Sequence, residues 1–473
     1  MSAEKYVIGL DSGTSACKVI IVDCYGNIKG AGKKPHKTYS PKPNLFEQNP
    51  RDWWTKFREA LKEAILNAKI SPKEIIALGV TNQRSTIVPV DEKGKELRPA
   101  ICWMDSRPSP KFKWIKENEA EIWNKTFKIV DVQAWFIYKL TGEWKGSKAS
   151  PIVVTSNWNW DEELIKSGEV SKEKLPEYLY PGEIAGKITK KVAVELGLPE
   201  DLPVVCGCGD KQAGIIGAAC LDPQKLMVSY GTSLSLGTTS DRIATPPIIT
   251  GLSGIPLKYS VEMGMSSGLW IAQWFQSKFC RFPFKSYNFL SVREKELDMM
   301  AGKLGVGSEG LLVLPYWLGP DWSQKDSTGR GIVLGWMGSH TLIHFYRALI
   351  EGVVFEARCC KEILEDRLKT VFTDIRIVGG GATSNLIMQI TADVFNQCVK
   401  KIQTPSAEAL GAAVLAAKGV KIFNSVEEAA RSMVKIAKKV KPKGKNVLNY
   451  ERIYLEKYLP ARKIYLSKLR HFM

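Results

Sequence analysis

Histidine is scarce in this chain, with four in 473 residues. A Ser-His-Asp mechanism therefore has little to draw on, and a carboxylate is the better candidate for moving a proton. His340 and His344 stand four apart, but Thr341-Leu342-Ile343 between them contains no Glu, so the H-E-x-x-H zinc motif is absent. No stretch of about 18 uninterrupted apolar residues occurs, which leaves no candidate membrane-spanning helix. The opening MSAEKYVIGL passes almost at once into an apolar strand-like run rather than the layout of a signal peptide, so a cytoplasmic protein is expected. The ten cysteines are scattered, not set at disulfide-framework spacings, and read as buried thiols. Cys206 and Cys208 form a C-x-C, but no second Cys or His pair follows at zinc spacing. The phosphate-binding G-x-x-x-x-G-K-[ST] is also missing.

What is present is ordinary for a globular enzyme: 44% hydrophobic and 25% charged residues over a length that calls for two domains. The formal charge is +18. Its lysines are spread along the whole chain, and the densest run, 435–445, lacks interleaved aromatics, so a solvated face is expected there and nucleic-acid binding is not. A diffuse positive field does attract anionic nucleotides.

The chain opens strand–turn–strand: apolar 6–10, the turn Asp11-Ser12-Gly13-Thr14-Ser15, then apolar 18–23. Asn49-Pro50 is helix-start chemistry for a helix to about Ala68. Strands at 75–80 and 86–90 follow, and alternation with helices continues to the apolar run 203–207, which delivers Cys208-Gly209-Asp210. Near residue 222 the pattern restarts as a strand at 225–228, the turn Ser229-Tyr230-Gly231-Thr232-Ser233 and a strand at 234–236. This echo implies two related α/β domains, 1–222 and 223–473, meeting across a cleft. Further on come an amphipathic helix at 340–367, a strand at 371–378, the turn Gly379-Gly380-Gly381-Ala382, helices at 385–397 and 407–418, and a C-terminal amphipathic helix at 450–473.

The first turn suits phosphate. Gly13 permits close approach, Ser12, Thr14 and Ser15 carry hydroxyl donors, Lys18 adds charge, and Asp11 at a strand end can hold Mg²⁺. It is equally a hairpin with a satisfied Asx turn. Gly231 and Thr232 offer a second such turn, and Gly380, Gly381 and Ala382 open a helix where Asn385 can meet a purine edge. That third turn lacks G-x-G-x-x-G spacing, so a dinucleotide site does not follow. Asp210 reads either as a general base for a substrate hydroxyl or as the N-cap of the next helix. The cluster Thr81-Asn82-Gln83-Arg84-Ser85, with Trp103 and Asp105-Ser106-Arg107 about 20 residues on, suits a polyhydroxylated ligand or a structural role.

In this order the segments YVIGLDSGTSACKVIIVD, GVTNQRSTIVPVDEKGKELRPAICWMDSR, VVCGCGDKQAG, VSYGTSLSL, DSTGRGIVLGW, RALIEGVVFEAR, IVGGGATSNLIMQITADVF and AEALGAAVLAA closely resemble the FGGY family of carbohydrate kinases over nearly the whole chain. The resemblance implies two ribonuclease-H-like domains of the actin and hexokinase type, closing over ATP and a small sugar or polyol. It implies Asp210 as catalytic base, Asp11 and Asp210 near Mg²⁺, and Ser12, Gly13, Thr14, Ser15 and Lys18 at the phosphates with Gly231 and Thr232. It implies Gly380, Gly381, Ala382 and Asn385 at adenosine, and Gln83, Arg84, Trp103 and Lys211 at the acceptor. Residues 81–84 look like the glycerol kinase segment, with Ser85 where an acidic residue is usual. LGLPEDLPVVCGCGD looks more like xylulokinase, and Lys211 stands where glycerol kinases carry glutamine. The segment after Arg107 is shorter than in most members. The expected acceptor is a ketopentose such as xylulose, with glycerol or another polyol as the alternative and a non-catalytic binding protein as a lesser one. A homodimer is compatible with this family.

Overall fold

The computed structural model describes residues 5–108, 110–150, 152, 158–159, 161–166, 170–280, 294–318 and 330–468. Residues 326–329 of the expected DSTGRGIVLGW segment, and 469–473 of the expected C-terminal helix, lie outside them. Contacts divide the chain into two compact units. One comprises Met1–Leu221, Gly251–Ser260 and Ser406–Lys435; the other comprises Asp222–Thr250, Val261–Pro405 and Ile436–Met473. The chain thus crosses between units several times, where the sequence reading has a single cut at 222.

The first unit is built on β1 (Tyr6–Ser12), β2 (Ala16–Asp23), β3 (Ile28–Pro35), β4 (Ile75–Asn82), β5 (Ile184–Lys187) and β6 (Pro203–Gly209), in the order β5-β6-β4-β1-β2-β3. β1 and β2 form the expected antiparallel hairpin, Leu10 opposite Val19. β4 runs parallel to both β1 and β6. Every residue of β1 and β4 is buried or nearly so, which is why both read as continuous apolar runs: helices cover both sheet faces. The register sets Ser12 beside Asn82 and Asn82 beside Gly209, so three parallel strands end side by side. Residues just past those ends converge, the usual location of a ligand site in such sheets.

Helix α1 (Pro50–Ala68) begins as expected, with the Asn49 side chain accepting from the Arg51 amide and Pro50 in the first turn. It buries Trp53, Phe57, Ala60, Leu61 and Ala64 against the sheet. Helix α2 (Asp210–Gly217) leaves β6 directly.

The second unit repeats the plan. β7 (Lys225–Tyr230) and β8 (Leu234–Ser240) form an antiparallel hairpin, and β7 runs parallel to β9 (Asp374–Val378). Helix α3 (Leu342–Leu368) precedes β9, and α4 (Asn385–Phe395) joins it to the parallel β10 (Val399–Ile402). The expected strand at 371 starts three residues later: Lys369 ends α3 at φ 50, and the Thr373 and Asp374 amides are spent on the Gln224 carbonyl. His340 and His344 serve the start of α3, with Nδ1 of each accepting a backbone amide, from Met337 and Thr341 respectively.

Helix α5 (Ala407–Gly419) packs in the first unit on β1 and β4. A Cβ on Gly9 would stand 1.9 Å from the Ala409 carbonyl oxygen, and one on Gly79 would stand 2.1 Å from that of Ala412. Glycines on the strands and alanines on the helix let backbone meet backbone. β11 (Ile436–Val440) then completes the second sheet beside β10. The expected single C-terminal helix is instead Gly444–Ile453, a π-helical turn Tyr454–Tyr458 and Leu459–Ser467. Pro460 has no amide to continue an α-helical ladder, and the widened turn stands just before it. Tyr450, Tyr454, Tyr458 and Tyr465 are its buried face. All ten cysteines are free thiols, seven of them buried. Among the described residues no helix is long and apolar enough to cross a membrane.

Candidate active site

At the end of β1, Asp11 is 1% exposed. Its Oδ2 accepts from Lys18 Nζ across the hairpin at 2.9 Å, and Lys18 also lies 3.4 Å from Glu408 Oε2 on α5. Asp11 Oδ1 is buried with no hydrogen-bond partner among the described residues. Burial pushes the Asp11 carboxyl up from 3.8 to about 6; Lys18 opposes this, while the carboxylates of Glu408 and Asp210 add to it. Burial works against the Lys18 charge, yet Asp11 and Glu408 together hold that ammonium above its ordinary range. Two acids share one cation here, so the cluster carries surplus negative charge.

The turn after Asp11 is tied down on both sides. The Gly13 amide donates to the Ala16 carbonyl, and the Ser15 carbonyl accepts from the His36 amide. Ser12 is buried against Cys17, whereas Ser15 is exposed. Thr14 Oγ1 accepts from Trp103 Nε1 at 2.9 Å, and the Thr14 carbonyl accepts from Gln48 Nε2 at 2.8 Å. The Trp103 ring is 48% exposed, so an apolar platform stands beside the turn.

Gln83 is fully buried, and its Oε1 has no hydrogen-bond partner among the described residues. Its amide nitrogen donates to Gln48 Oε1 at 2.7 Å, and its backbone amide donates to the Ser12 carbonyl. Gln83 and Gln48 thus brace the turn at 11–15 from below. Arg84, next along, is half-buried, with Nε 3.7 Å from Asp210 Oδ1. Gly209 makes this approach possible: a Cβ there would stand 2.4 Å from Arg84 Cγ. Asp105 and Arg107 pair with each other at 2.6 and 2.7 Å, and Arg107 also pairs with Glu47 and lies over the Trp114 ring. They fasten the loop rather than face a ligand.

Asp210 is the first residue of α2, capped by Gly209 with no side-chain cap bond, so the N-cap reading of Asp210 does not hold. Its Oδ1 accepts from the Lys211 amide, and Lys211 Nζ lies 3.9 Å from Oδ2. The carboxylate is 22% exposed, reachable from solvent and flanked by two cations. Cys206 is a buried thiol whose Sγ lies 3.2 Å from Gln133 Oε1.

In the second unit, Thr232 is exposed at the hairpin tip, and the Gly231 and Thr232 carbonyls accept from the Leu269 and Gly268 amides. The third turn packs beside this tip. Gly379 has φ 78 and lies against the Tyr230 carbonyl, while a Cβ on Gly381 would stand 2.5 Å from Tyr230 Cβ. Gly380 is exposed; Ala382 is buried, its amide donating to the Gly379 carbonyl. Asn385 is exposed, and its Oδ1 accepts from Lys438 Nζ at 2.7 Å. The structure therefore gathers 231–232 with 379–382 in one unit, and Asp11, Thr14, Lys18, Arg84, Trp103, Asp210 and Lys211 in the other. Sequence reasoning assigned no role to Glu408, Gln48 or Lys438. Only Glu408 carried a signal, as the lone acid in the quoted AEALGAAVLAA.

The N-terminal domain of the FGGY family of carbohydrate kinases matches residues 6–110 and 106–217, and the C-terminal domain matches 226–420. The xylulose kinase of Bacillus subtilis is 29% identical over 486 residues, covering 95% of each chain. The glycerol kinase of Thermococcus gammatolerans is 28% identical over 483 residues, covering 93% of this chain and 94% of that one. A solved xylulose kinase from Lactobacillus acidophilus superposes with a TM-score of 0.84 at 21% identity, covering 99% of this chain and all of the other. That likeness shows the fold, mixed sheets and helices in two domains. With both domain families matched in order along its length, the chain belongs to the FGGY family of carbohydrate kinases, phosphotransferases that use ATP and an alcohol acceptor.

Proposed function

We propose that this kinase transfers the γ-phosphoryl group of ATP to a hydroxyl of a ketopentose such as xylulose, with Asp210 as the general base. The observation that carries this is the Asp210 carboxylate: solvent-reachable, at the end of a buried strand, flanked by Arg84 and Lys211. Asp210 takes the proton of the acceptor hydroxyl as its oxygen bonds to the γ-phosphorus and the bond from that phosphorus to ADP breaks. Such transfer is mostly positioning and charge stabilisation. Arg84 and Lys211 fix the carboxylate from both sides and Trp103 supplies an apolar face for the acceptor. Ser12 to Ser15 and Lys18 are proposed phosphate contacts, as are Gly231 and Thr232. Gly380, Gly381, Ala382 and Asn385 serve the adenosine end.

The unpartnered, buried Oδ1 of Asp11 and the surplus acid around it fit a divalent cation. Asp11 and Asp210 are the residues that would hold Mg²⁺. Bound there, the ion would neutralise phosphate charge.

The ketopentose is supported by the xylulose kinases among the relatives, at 27–29% identity over most of their length. A second reading, glycerol or another polyol, is supported by Thr81-Asn82-Gln83-Arg84 and by the glycerol kinase relatives. We place the enzyme in the cytoplasm, where ATP is available. ADP release across a panel of ketoses and polyols tests the assignment. The highest kcat/KM is expected on D-xylulose; a highest value on glycerol moves the acceptor to the polyols, and no acceptor-dependent ADP release refutes the kinase reading.

A further inference from the structure

The turns bearing Arg84 and Trp103 are held from beneath by one buried cation. Lys111 opens the helix Lys111–Asn118, is 7% exposed, and donates from Nζ to the Ser85 carbonyl at 3.3 Å and to the Cys102 carbonyl. Ser85 follows Arg84 and Cys102 precedes Trp103, so the ammonium bridges the two backbone positions next to the expected acceptor contacts. The Cys102 carbonyl also accepts the Asp105 amide, so Lys111 is a second donor to that turn, while the turn at Ser85 is strained. Ser85 sits at φ 56, a left-handed conformation costly for a residue other than glycine. A buried ammonium is retained only where it is well hydrogen-bonded, since stripping its water is expensive. The carboxylate whose charge reaches it, Asp105, is already spent on Arg107.

We propose that Lys111 is a positioning residue of the acceptor site, fastening the Arg84 and Trp103 turns so that Arg84 meets Asp210 and the Trp103 indole meets Thr14. The proposal rests on the reading of Arg84 and Trp103 as acceptor contacts. It also sets an alkaline limit. Burial lowers the Lys111 ammonium to about 8, with Asp105 and the Cys102 thiol opposing and Arg107 reinforcing. Of these neighbours, Arg107 is paired to Asp105 and to Glu47, and the Cys102 thiol is itself pushed up to about 12 by burial. Between pH 7 and 9 the changing group in this cluster is therefore Lys111.

The test compares the wild type with Lys111→Met and Lys111→Arg, measuring KM for acceptor and ATP, kcat and thermal stability from pH 6.5 to 9.5. A small misplacement of contact groups costs up to about 100-fold. Lys111→Met should raise the acceptor KM by about 10- to 100-fold, with the ATP KM within about twofold of wild type. The wild-type acceptor KM should rise above about pH 8. Lys111→Arg, which keeps its charge, should retain a low acceptor KM across the range. An acceptor KM in Lys111→Met equal to wild type, or losses shared equally by ATP and acceptor, would overturn the proposal. If Lys111→Met does not fold, a wild-type acceptor KM flat from pH 7 to 9 does the same. Arg84→Ala and Trp103→Ala separate the two readings: no effect on acceptor KM from either sinks the acceptor-site assignment, whereas effects from both with none from Lys111 sink only the present inference.

Discussion

Replacing Asp11 by Asn should abolish phosphoryl transfer yet stabilise the metal-free protein at neutral and alkaline pH. The folded protein holds the Asp11 carboxyl at about 6, against an ordinary 3.8. At about 1.4 kcal/mol per pH unit, the ionised form carries a penalty of about 3 kcal/mol once the pH exceeds 6. Because the folded value is the higher one, the folded state binds more protons than the unfolded between about pH 4 and 6, so stability falls as pH rises through that window. Asn removes the charge and keeps an oxygen for Lys18, but it places an amide donor where Oδ1 now has no partner, a cost of about 1–3 kcal/mol. The expected net gain is about 1 kcal/mol at pH 8, a rise in Tm of about 2–4 °C for a unit of this size. At pH 4.5 the gain should vanish. Calorimetry or circular dichroism in EDTA at the two pH values reads the difference directly. A variant less stable than wild type at pH 8 would show that the Asp11–Lys18 pair stabilises the fold on balance, refuting the picture of a strained, metal-ready carboxylate.

Two further substitutions probe how the site is placed. Gly209→Ala puts a methyl group 2.4 Å from Arg84 Cγ and should swing that side chain off Asp210, cutting kcat/KM by about 10-fold while lowering Tm only slightly; an unchanged kcat/KM would mean that Arg84 has no part in the reaction. Gly9→Ala drives a methyl group to 1.9 Å from the Ala409 carbonyl oxygen, where backbone cannot yield, and should cost about 3 kcal/mol or more, seen as a lower urea midpoint; a shift under about 1 kcal/mol would mean that α5 is not packed on β1.

Local chemistry made much of this readable from sequence. The two hairpins, the Asn49–Pro50 helix start and the presentation of Asp210 after a buried strand all depend on residues adjacent along the chain. What was not readable depends on distant pairing. Glu408 meets Lys18 across 390 positions, and no periodicity in an Ala-rich helix says which unit it will cover. Gln83 is polar by type, yet it is buried against Gln48, 35 positions away. Asp105 and Arg107 are likewise polar by type, and satisfy each other.

The most direct measurement is turnover and nucleotide affinity in Asp210→Asn, a change of one oxygen for one nitrogen at the proposed base. Removing a general base costs about 100- to 10,000-fold, so kcat should fall into that range while the Kd for ATP stays within about twofold. An Asp210→Asn enzyme that keeps more than about a tenth of its turnover would contradict the assignment of the base.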